Sequence, residues 1–141
     1  MTDERKLPVG IQSFEKLRKE GFLYVDKTEY IWNLISTGKS YFLIRPRRFG
    51  KSLLTSTIAA YFEGRKELFE DLAIEKHENE KGKDAWQTYP VIYFSLASGL
   101  YNEKNGLNDK LSNILAGYER EYQVSNNAVD LPNRFVNLIM Q

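Results

Sequence analysis

The sequence lacks cysteine altogether and contains one histidine, His77, among its 141 residues. Without cysteine there are no disulfides, thiol nucleophiles or thiolate metal ligands. A single imidazole in a polar stretch cannot build a multi-histidine metal site, and no histidine-based triad is visible, so His77 is predicted to lie on the surface. These absences exclude most thiol and zinc chemistry.

Long apolar runs are also missing. No run approaches the roughly 18 residues that a membrane span needs, and no apolar stretch follows the charged residues 1–6, as a secretory signal would require. We therefore expect a cytoplasmic protein that makes no membrane contact, with residues 1–6 flexible. An apolar fraction of 42% and an aromatic fraction of 13% can support one folded domain, or part of a larger one.

Acidic residues are absent between Tyr30 and Phe62, although the chain as a whole carries 20 basic and 19 acidic residues. The acid-free stretch holds five cations: Lys39, Arg45, Arg47, Arg48 and Lys51. A cation cluster without local counter-ions raises the energy of the folded state unless an anion binds there. The alternative is a solvated loop whose charges pair with distant acids.

Apolar periodicity and capping residues predict several helices. The first is capped by Ser13 and ends at Gly21, and the second is opened by Asp26 with Glu29 and closed by Gly38. Further helices are predicted over 51–62, 65–75 and 107–122, and from residue 131 to the end of the sequence.

Two apolar runs, Ser40–Ile44 and Pro90–Leu96, have the length and composition of strands buried on both faces. The polar stretch 76–88 between them predicts a mobile surface loop, in which Glu78, Glu80 and Asp84 form a solvated charge run.

A strand, a loop with Gly-Lys-Ser and a helix follow one another over residues 40–62, which is the context that a phosphate-binding P-loop requires. Gly50 allows a tight turn whose N–H groups point at phosphate oxygens. Lys51 supplies a flexible cation for the β- and γ-phosphates, and Ser52 offers a hydroxyl to Mg²⁺ at the first turn of the helix. The pattern predicts ATP and Mg²⁺ as ligands.

The loop departs from the full P-loop pattern, because Arg45 stands where the pattern has its first glycine. Arg47 and Arg48 fit either a ligand-binding or a structural role. The same cations permit a second hypothesis, a nucleic-acid-binding module in which Arg45, Arg47, Arg48 and Lys39 contact the backbone and Phe49 or Trp86 stacks on bases.

The blocks 8–17, 24–28, 42–54 and 89–92 resemble those of the AAA-ATPase-like proteins of gut bacteria. In that family Arg-Pro-Arg-Arg-Phe-Gly-Lys-Ser, here Arg45–Ser52, is the usual form of the phosphate loop. The resemblance implies an α/β fold: a partial P-loop NTPase with a doubly wound parallel sheet and flanking helices, incomplete at its C-terminus, over residues 7–141.

The resemblance also implies functional residues. Nucleotide contacts would come from Arg45, Pro46, Arg47, Arg48, Phe49, Gly50, Lys51, Ser52 and Leu53. Among these, Lys51 would be catalytic and Ser52 would bind Mg²⁺, while Tyr24–Thr28 resembles a segment near the base.

Members of the family have a later acidic strand that holds Mg²⁺, and many end in a nuclease-like domain of the PD-(D/E)XK type. No such strand is visible in this sequence. We therefore expect the N-terminal part of a longer ATPase, inactive in hydrolysis alone. Its partners would be the remainder of the chain or further copies, and nucleic acid through the missing domain.

Overall fold

The computed structural model describes residues 6–38, 40–96, 105–125 and 128–140. Within these ranges the regular structure is helical, in six α-helices and two 3₁₀ turns. The α-helices are α1 (Phe14–Lys19), α2 (Thr28–Thr37), α3 (Lys51–Phe62), α4 (Ala73–Glu80), α5 (Gly106–Glu121) and α6 (Leu131–Met140), and the 3₁₀ turns span Lys66–Leu68 and Gly82–Asp84. No helix in these ranges has the length and apolar character needed to cross a bilayer. Lys39 and the flexible segment predicted for residues 1–6, apart from Lys6, lie outside the described residues.

The predicted α/β fold with a parallel sheet is wrong, because the described residues contain no strand. Neither Ser40–Ile44 nor Pro90–Leu96 forms a strand there, and Ser40–Ile44 has no backbone–backbone hydrogen bond to another described segment. A strand is stable only when a neighbouring segment accepts and donates its ladder hydrogen bonds. Phe42 and Ile44 were predicted to be buried, because the strand was expected to be covered on both faces, but they are 90% and 81% exposed.

The chain divides into two compact units, residues 1–91 and 92–141. In the first unit α1 packs on α3 and α2 packs on α4. Their apolar faces enclose one core cluster: Phe14, Ile31, Ala60, Tyr61, Leu68, Phe69, Leu72, Ile74 and Trp86. Aromatic rings dominate this core, with the Phe14 and Phe69 centroids 4.9 Å apart.

The second unit contains α5 and α6, which pack on each other. Leu115, Val124 and Leu138 are buried between them. Asp130 opens α6 as predicted, since its carboxylate accepts a hydrogen bond from the Asn133 N–H at 3.0 Å. Phe135, Val136, Ile139 and Met140 are left partly or largely exposed along α6.

The mobile loop predicted over residues 76–88 is also wrong, because α4 and the second 3₁₀ turn occupy most of it. Glu78 is fully buried rather than solvated. It accepts hydrogen bonds from the Tyr61 hydroxyl at 2.5 Å, the Lys81 ammonium at 2.7 Å and the Trp86 backbone N–H. Three donors replace the water that burial removes, which is why a carboxylate can lie in this core.

The ionisation of Glu78 and Tyr61 follows from this arrangement. Burial alone would raise the pKa of the Glu78 carboxyl, but the donors from Lys81, Trp86 and Tyr61 together lower it below its usual value. Burial and the neighbouring carboxylate raise the pKa of the Tyr61 hydroxyl. Glu78 therefore stays charged and Tyr61 stays protonated at neutral pH.

Other local predictions are confirmed. Helix α3 spans Lys51–Phe62 as the sequence pattern indicated, and Ser13 caps α1 by accepting a hydrogen bond from the Lys16 N–H at 3.3 Å. Gly38 ends α2 in the left-handed conformation, with φ +57°. His77 is only half-buried, as a surface residue would be, but its ring stacks on Trp32 with centroids 4.9 Å apart.

Candidate functional site

The Gly-Lys-Ser sequence lies where the pattern placed it, at the start of α3. Gly50 occupies the N-cap position with φ +74°, a left-handed conformation that glycine adopts without steric cost. Because glycine has no side chain, no side chain at this position caps the amides of the first turn. The positive end of the helix dipole is therefore available to an anion.

The loop that precedes α3 is closed by its own hydrogen bonds. The Lys51 ammonium donates to the carbonyl oxygen of Pro46 at 3.1 Å and to that of Arg45. The Arg45 guanidinium in turn donates to the Phe49 carbonyl at 3.4 Å. These contacts cross the loop in both directions and hold its ends together.

The side chains of Arg47 and Arg48 are exposed and form no ion pair with any acid in the described part of the chain. Arg48 also has a left-handed backbone, with φ +65°, which is uncommon for a residue other than glycine. The alternative in which distant acids neutralise these cations therefore finds no support among the described residues. Arg47 and Arg48 thus lie three and two residues before the N-cap Gly50 and have no acidic partner among the described residues.

The remaining predicted site residues lie in the same loop or the first turn of α3. Pro46, Phe49 and Ser52 are exposed, whereas Leu53 is partly buried against the core of the first unit. Among the described residues there is no group of three acidic or histidine side chains that could hold a metal ion. Ser52, predicted to bind Mg²⁺, is the second residue of α3 and is exposed.

Sequence reasoning did not find the residue that fixes α3 to the N-terminal segment. The Ser56 hydroxyl lies one turn beyond Ser52 and accepts a hydrogen bond from the Phe14 N–H at 3.0 Å. Its own proton lies between two acceptors, the Leu53 carbonyl at 2.9 Å and the Gln12 carbonyl at 3.2 Å. A serine inside a helix can bond a carbonyl of its own preceding turn or a backbone group of another segment, so the sequence alone does not identify this contact. These bonds fix residues 12–14 against α3.

The block Tyr24–Thr28, which resembles a segment near the base, has a structural role here. One Asp26 oxygen accepts from the Thr28 N–H at 2.8 Å at the start of α2, and the other accepts from the Ala73 N–H at 2.7 Å at the start of α4. The Thr28 hydroxyl accepts from the Ile74 N–H at 3.1 Å. Leu72, at the N-cap of α4, supplies no side-chain cap of its own, so Asp26, just before α2, and Thr28, the first residue of α2, cap α4.

The pKa of Asp26 reflects this double capping. Burial raises it, but the N–H groups of Thr28 and Ala73 outweigh burial and lower the pKa below its usual value. A half-open cavity of about 460 Å³ adjoins Asp26 and is lined by Arg18, Gly21, Phe22, Tyr24, Asp71 and Leu72. No residue of the phosphate loop lines it.

Comparison with known proteins gives a family and one relative. The model of a family described as predicted AAA-ATPase matches residues 8–141. A protein of Azotobacter chroococcum mcd 1, named "Uncharacterized protein in vnfD 5'region", is 36% identical over 141 residues, covering 97% of this chain and 26% of the relative. The chain thus spans about a quarter of the length of this curated relative. No solved structure matches.

Proposed function

This chain belongs to the predicted AAA-ATPase family, and we propose that it binds ATP with Mg²⁺ through the loop Arg45–Leu53. The family supports nucleotide binding in general. The choice of this loop rests on one observation: Arg47 and Arg48, which have no acidic partner among the described residues, immediately precede a helix start that no side chain caps. An anion is the ligand that both features favour.

Each part of the loop has a role in this proposal. The backbone N–H groups at Gly50 and the first turn of α3 hold phosphate oxygens. The Lys51 ammonium exchanges the carbonyls of Arg45 and Pro46 for the β- and γ-phosphates, which are stronger acceptors because they are charged. The Ser52 hydroxyl offers a ligand to Mg²⁺, and Arg47 and Arg48 neutralise the remaining phosphate charge.

Hydrolysis needs more than this loop. In P-loop ATPases an acid holds Mg²⁺ and another group orients the attacking water. The stretch around the loop contains no acid that could hold Mg²⁺. We infer that this chain binds Mg-ATP but turns it over negligibly by itself. Lys51 would act on the transferred phosphoryl group in a longer cytoplasmic ATPase that supplies the acids.

Isothermal titration with Mg-ATP tests the assignment. Lys51→Ala is expected to weaken binding at least about tenfold, since it removes a charge-assisted contact to phosphate. Lys76→Ala is the matched control, because Lys76 is an exposed lysine on α4 and lies outside the loop. Equal affinities for the wild type and Lys51→Ala would remove the loop as the ATP site.

Nucleic acid is the alternative ligand, and the exposure of the aromatic side chains decides which of them could stack on a base. Phe49 is 64% exposed and could stack on a base, whereas Trp86 is buried against Tyr61 and Phe69 and cannot. Several phosphate contacts would give a steep loss of oligonucleotide affinity with salt. Oligonucleotide binding with such a slope, unaffected by Mg-ATP, would favour this rival.

A further inference from the structure

Arg45 differs from the other two arginines of the phosphate loop, because the loop itself already binds its side chain. The Arg45 guanidinium donates a hydrogen bond to the Phe49 carbonyl at 3.4 Å, and the Arg45 carbonyl accepts one from the Lys51 ammonium. The guanidinium groups of Arg47 and Arg48 form no hydrogen bond or ion pair in the described part of the chain. The loop therefore holds two kinds of arginine, one bound to its backbone and two open to solvent.

The hydrogen bond to Phe49 fixes the orientation of the peptide unit that joins Phe49 to Gly50. This peptide bond is trans, so its C=O and N–H groups lie in one plane and point in opposite directions. A guanidinium that holds the carbonyl on one side therefore directs the Gly50 N–H to the other side. Within the described residues that N–H donates to no backbone acceptor, which leaves it available to a ligand.

A glycine at position 50 makes such a restraint necessary. Glycine adopts positive and negative φ about equally readily, so the peptide unit between Phe49 and Gly50 can turn over at little steric cost. In the structure Gly50 has φ +74°, and the Arg45 guanidinium favours this orientation by holding the Phe49 carbonyl. Without that donor the N–H would sample several directions, and ordering it would then reduce the affinity for an anion.

The residue type at position 45 matters for this contact. The full P-loop pattern has a glycine there, and glycine has no side chain with which to reach the carbonyl four residues later. Arginine reaches it and still leaves its own carbonyl as an acceptor for the Lys51 ammonium. Arg45 thus links the beginning of the loop both to the peptide before Gly50 and to the lysine after it.

We propose that Arg45 is a positioning residue of the phosphate loop: its guanidinium holds the Phe49 carbonyl so that the Gly50 N–H faces the bound phosphate. This inference rests on the proposed function of the loop. It gives Arg45 a role different from the direct nucleotide contact that the family resemblance implies, and it leaves the neutralisation of phosphate charge to Arg47 and Arg48.

Backbone NMR of the protein without nucleotide tests the contact, through the carbonyl-carbon signal of Phe49 and the amide signal of Gly50. Arg45→Met, whose unbranched side chain has no donor, should shift or broaden both signals. Arg45→Lys keeps a donor and should restore them towards the wild-type positions. Arg47→Met is the matched control, because it removes the same charge from the same loop but no hydrogen bond, and it should leave both signals unchanged.

Isothermal titration with Mg-ATP tests the consequence for binding. Arg45→Met should weaken binding about tenfold, and Arg45→Lys should recover most of that loss. Arg47→Met should also weaken binding, but without any change in the spectra recorded before nucleotide is added. Far-ultraviolet circular dichroism and thermal unfolding confirm that each variant is folded.

Three outcomes overturn the proposal. The first is that Arg45→Met leaves the Phe49 and Gly50 signals as in the wild type while it weakens binding, which is the result expected of a direct phosphate contact. The second is that Arg47→Met changes these signals as much as Arg45→Met does, because charge alone would then be responsible. The third is that Arg45→Met changes the signals but binds Mg-ATP as tightly as the wild type.

Failure of the proposed function would look different. A wild type that binds no Mg-ATP, or that binds it no better than Lys51→Ala, removes the loop as the ATP site. The spectra without nucleotide do not depend on ATP, so they still decide whether Arg45 fixes the peptide unit between Phe49 and Gly50.

Discussion

Two charged regions of the first unit differ in how their charge is neutralised. Around Glu78 a buried carboxylate receives three donors from the protein itself. In the loop 45–48 two exposed guanidinium groups receive no acid in the described residues. A charge that the fold satisfies internally stabilises the fold, whereas a charge left without a partner is available to a ligand.

The largest effect should come from breaking the internal network. Glu78→Gln removes the charge and one acceptor, and it leaves the Trp86 N–H or the Tyr61 hydroxyl facing an amide donor in the core. We expect a loss of unfolding free energy on the order of 3 kcal/mol in urea denaturation. Glu80→Gln, an exposed change on the same helix, should cost less than about 0.5 kcal/mol. Similar losses of unfolding free energy for Glu78→Gln and Glu80→Gln would contradict the claim that the buried network around Glu78 stabilises the fold.

A smaller effect is expected at the caps that join α2 and α4. Asp26→Ala leaves the N–H groups of Thr28 and Ala73 without their acceptor. Since removal of one helix cap costs about 1 kcal/mol, loss of two should reduce the unfolding free energy by about 2 kcal/mol. Glu70→Ala is the control, because this exposed side chain caps no helix. An unchanged urea midpoint for Asp26→Ala would show that the caps contribute nothing.

The smallest effect concerns an exposed network and is best seen through pH. The Arg65 guanidinium and the Lys19 ammonium, by their hydrogen bonds, lower the pKa of Glu15 to about 2, against about 4.3 in an unfolded chain. A carboxyl with a lowered folded pKa stabilises the protein above its unfolded pKa, and that contribution is lost as the pH falls through the folded value. The difference in unfolding free energy between the wild type and Glu15→Gln should therefore be largest above about pH 5 and decrease as the pH falls towards about 2. A difference that does not vary across this window would contradict the assignment.

The two regions also show what the sequence could predict. Local chemistry located Ser13 as a cap, Gly38 as a helix end and Gly50-Lys51 as the start of α3, because those features depend on neighbouring residues. The predictions of burial were wrong in two segments. Phe42 and Ile44 were predicted to be buried but are exposed, and Glu78 was predicted to be solvated but is buried. Ser40–Ile44 has strand composition but no segment among the described residues to pair with.

The polar stretch 76–88 shows the opposite error, because it was predicted to be exposed and yet contains a buried carboxylate. Glu78 is buried because its donors, Tyr61 and Trp86, lie eight or more positions away along the chain and are brought together only by the fold. The distant caps at Asp26 and Thr28 were missed for the same reason. The position of Gly50 before α3 could be predicted because it depends on consecutive residues, whereas phosphate binding by the loop stays a prediction.

Amide hydrogen exchange with and without Mg-ATP tests the central claim most directly, because it reports on both regions in one experiment. If the loop is the anion site, the amides of residues 47–53 exchange more slowly when Mg-ATP is bound, and those of residues 73–86 are unchanged. Lys51→Ala should abolish the difference. Protection that appears elsewhere while residues 47–53 exchange at the same rate with and without Mg-ATP would contradict the account.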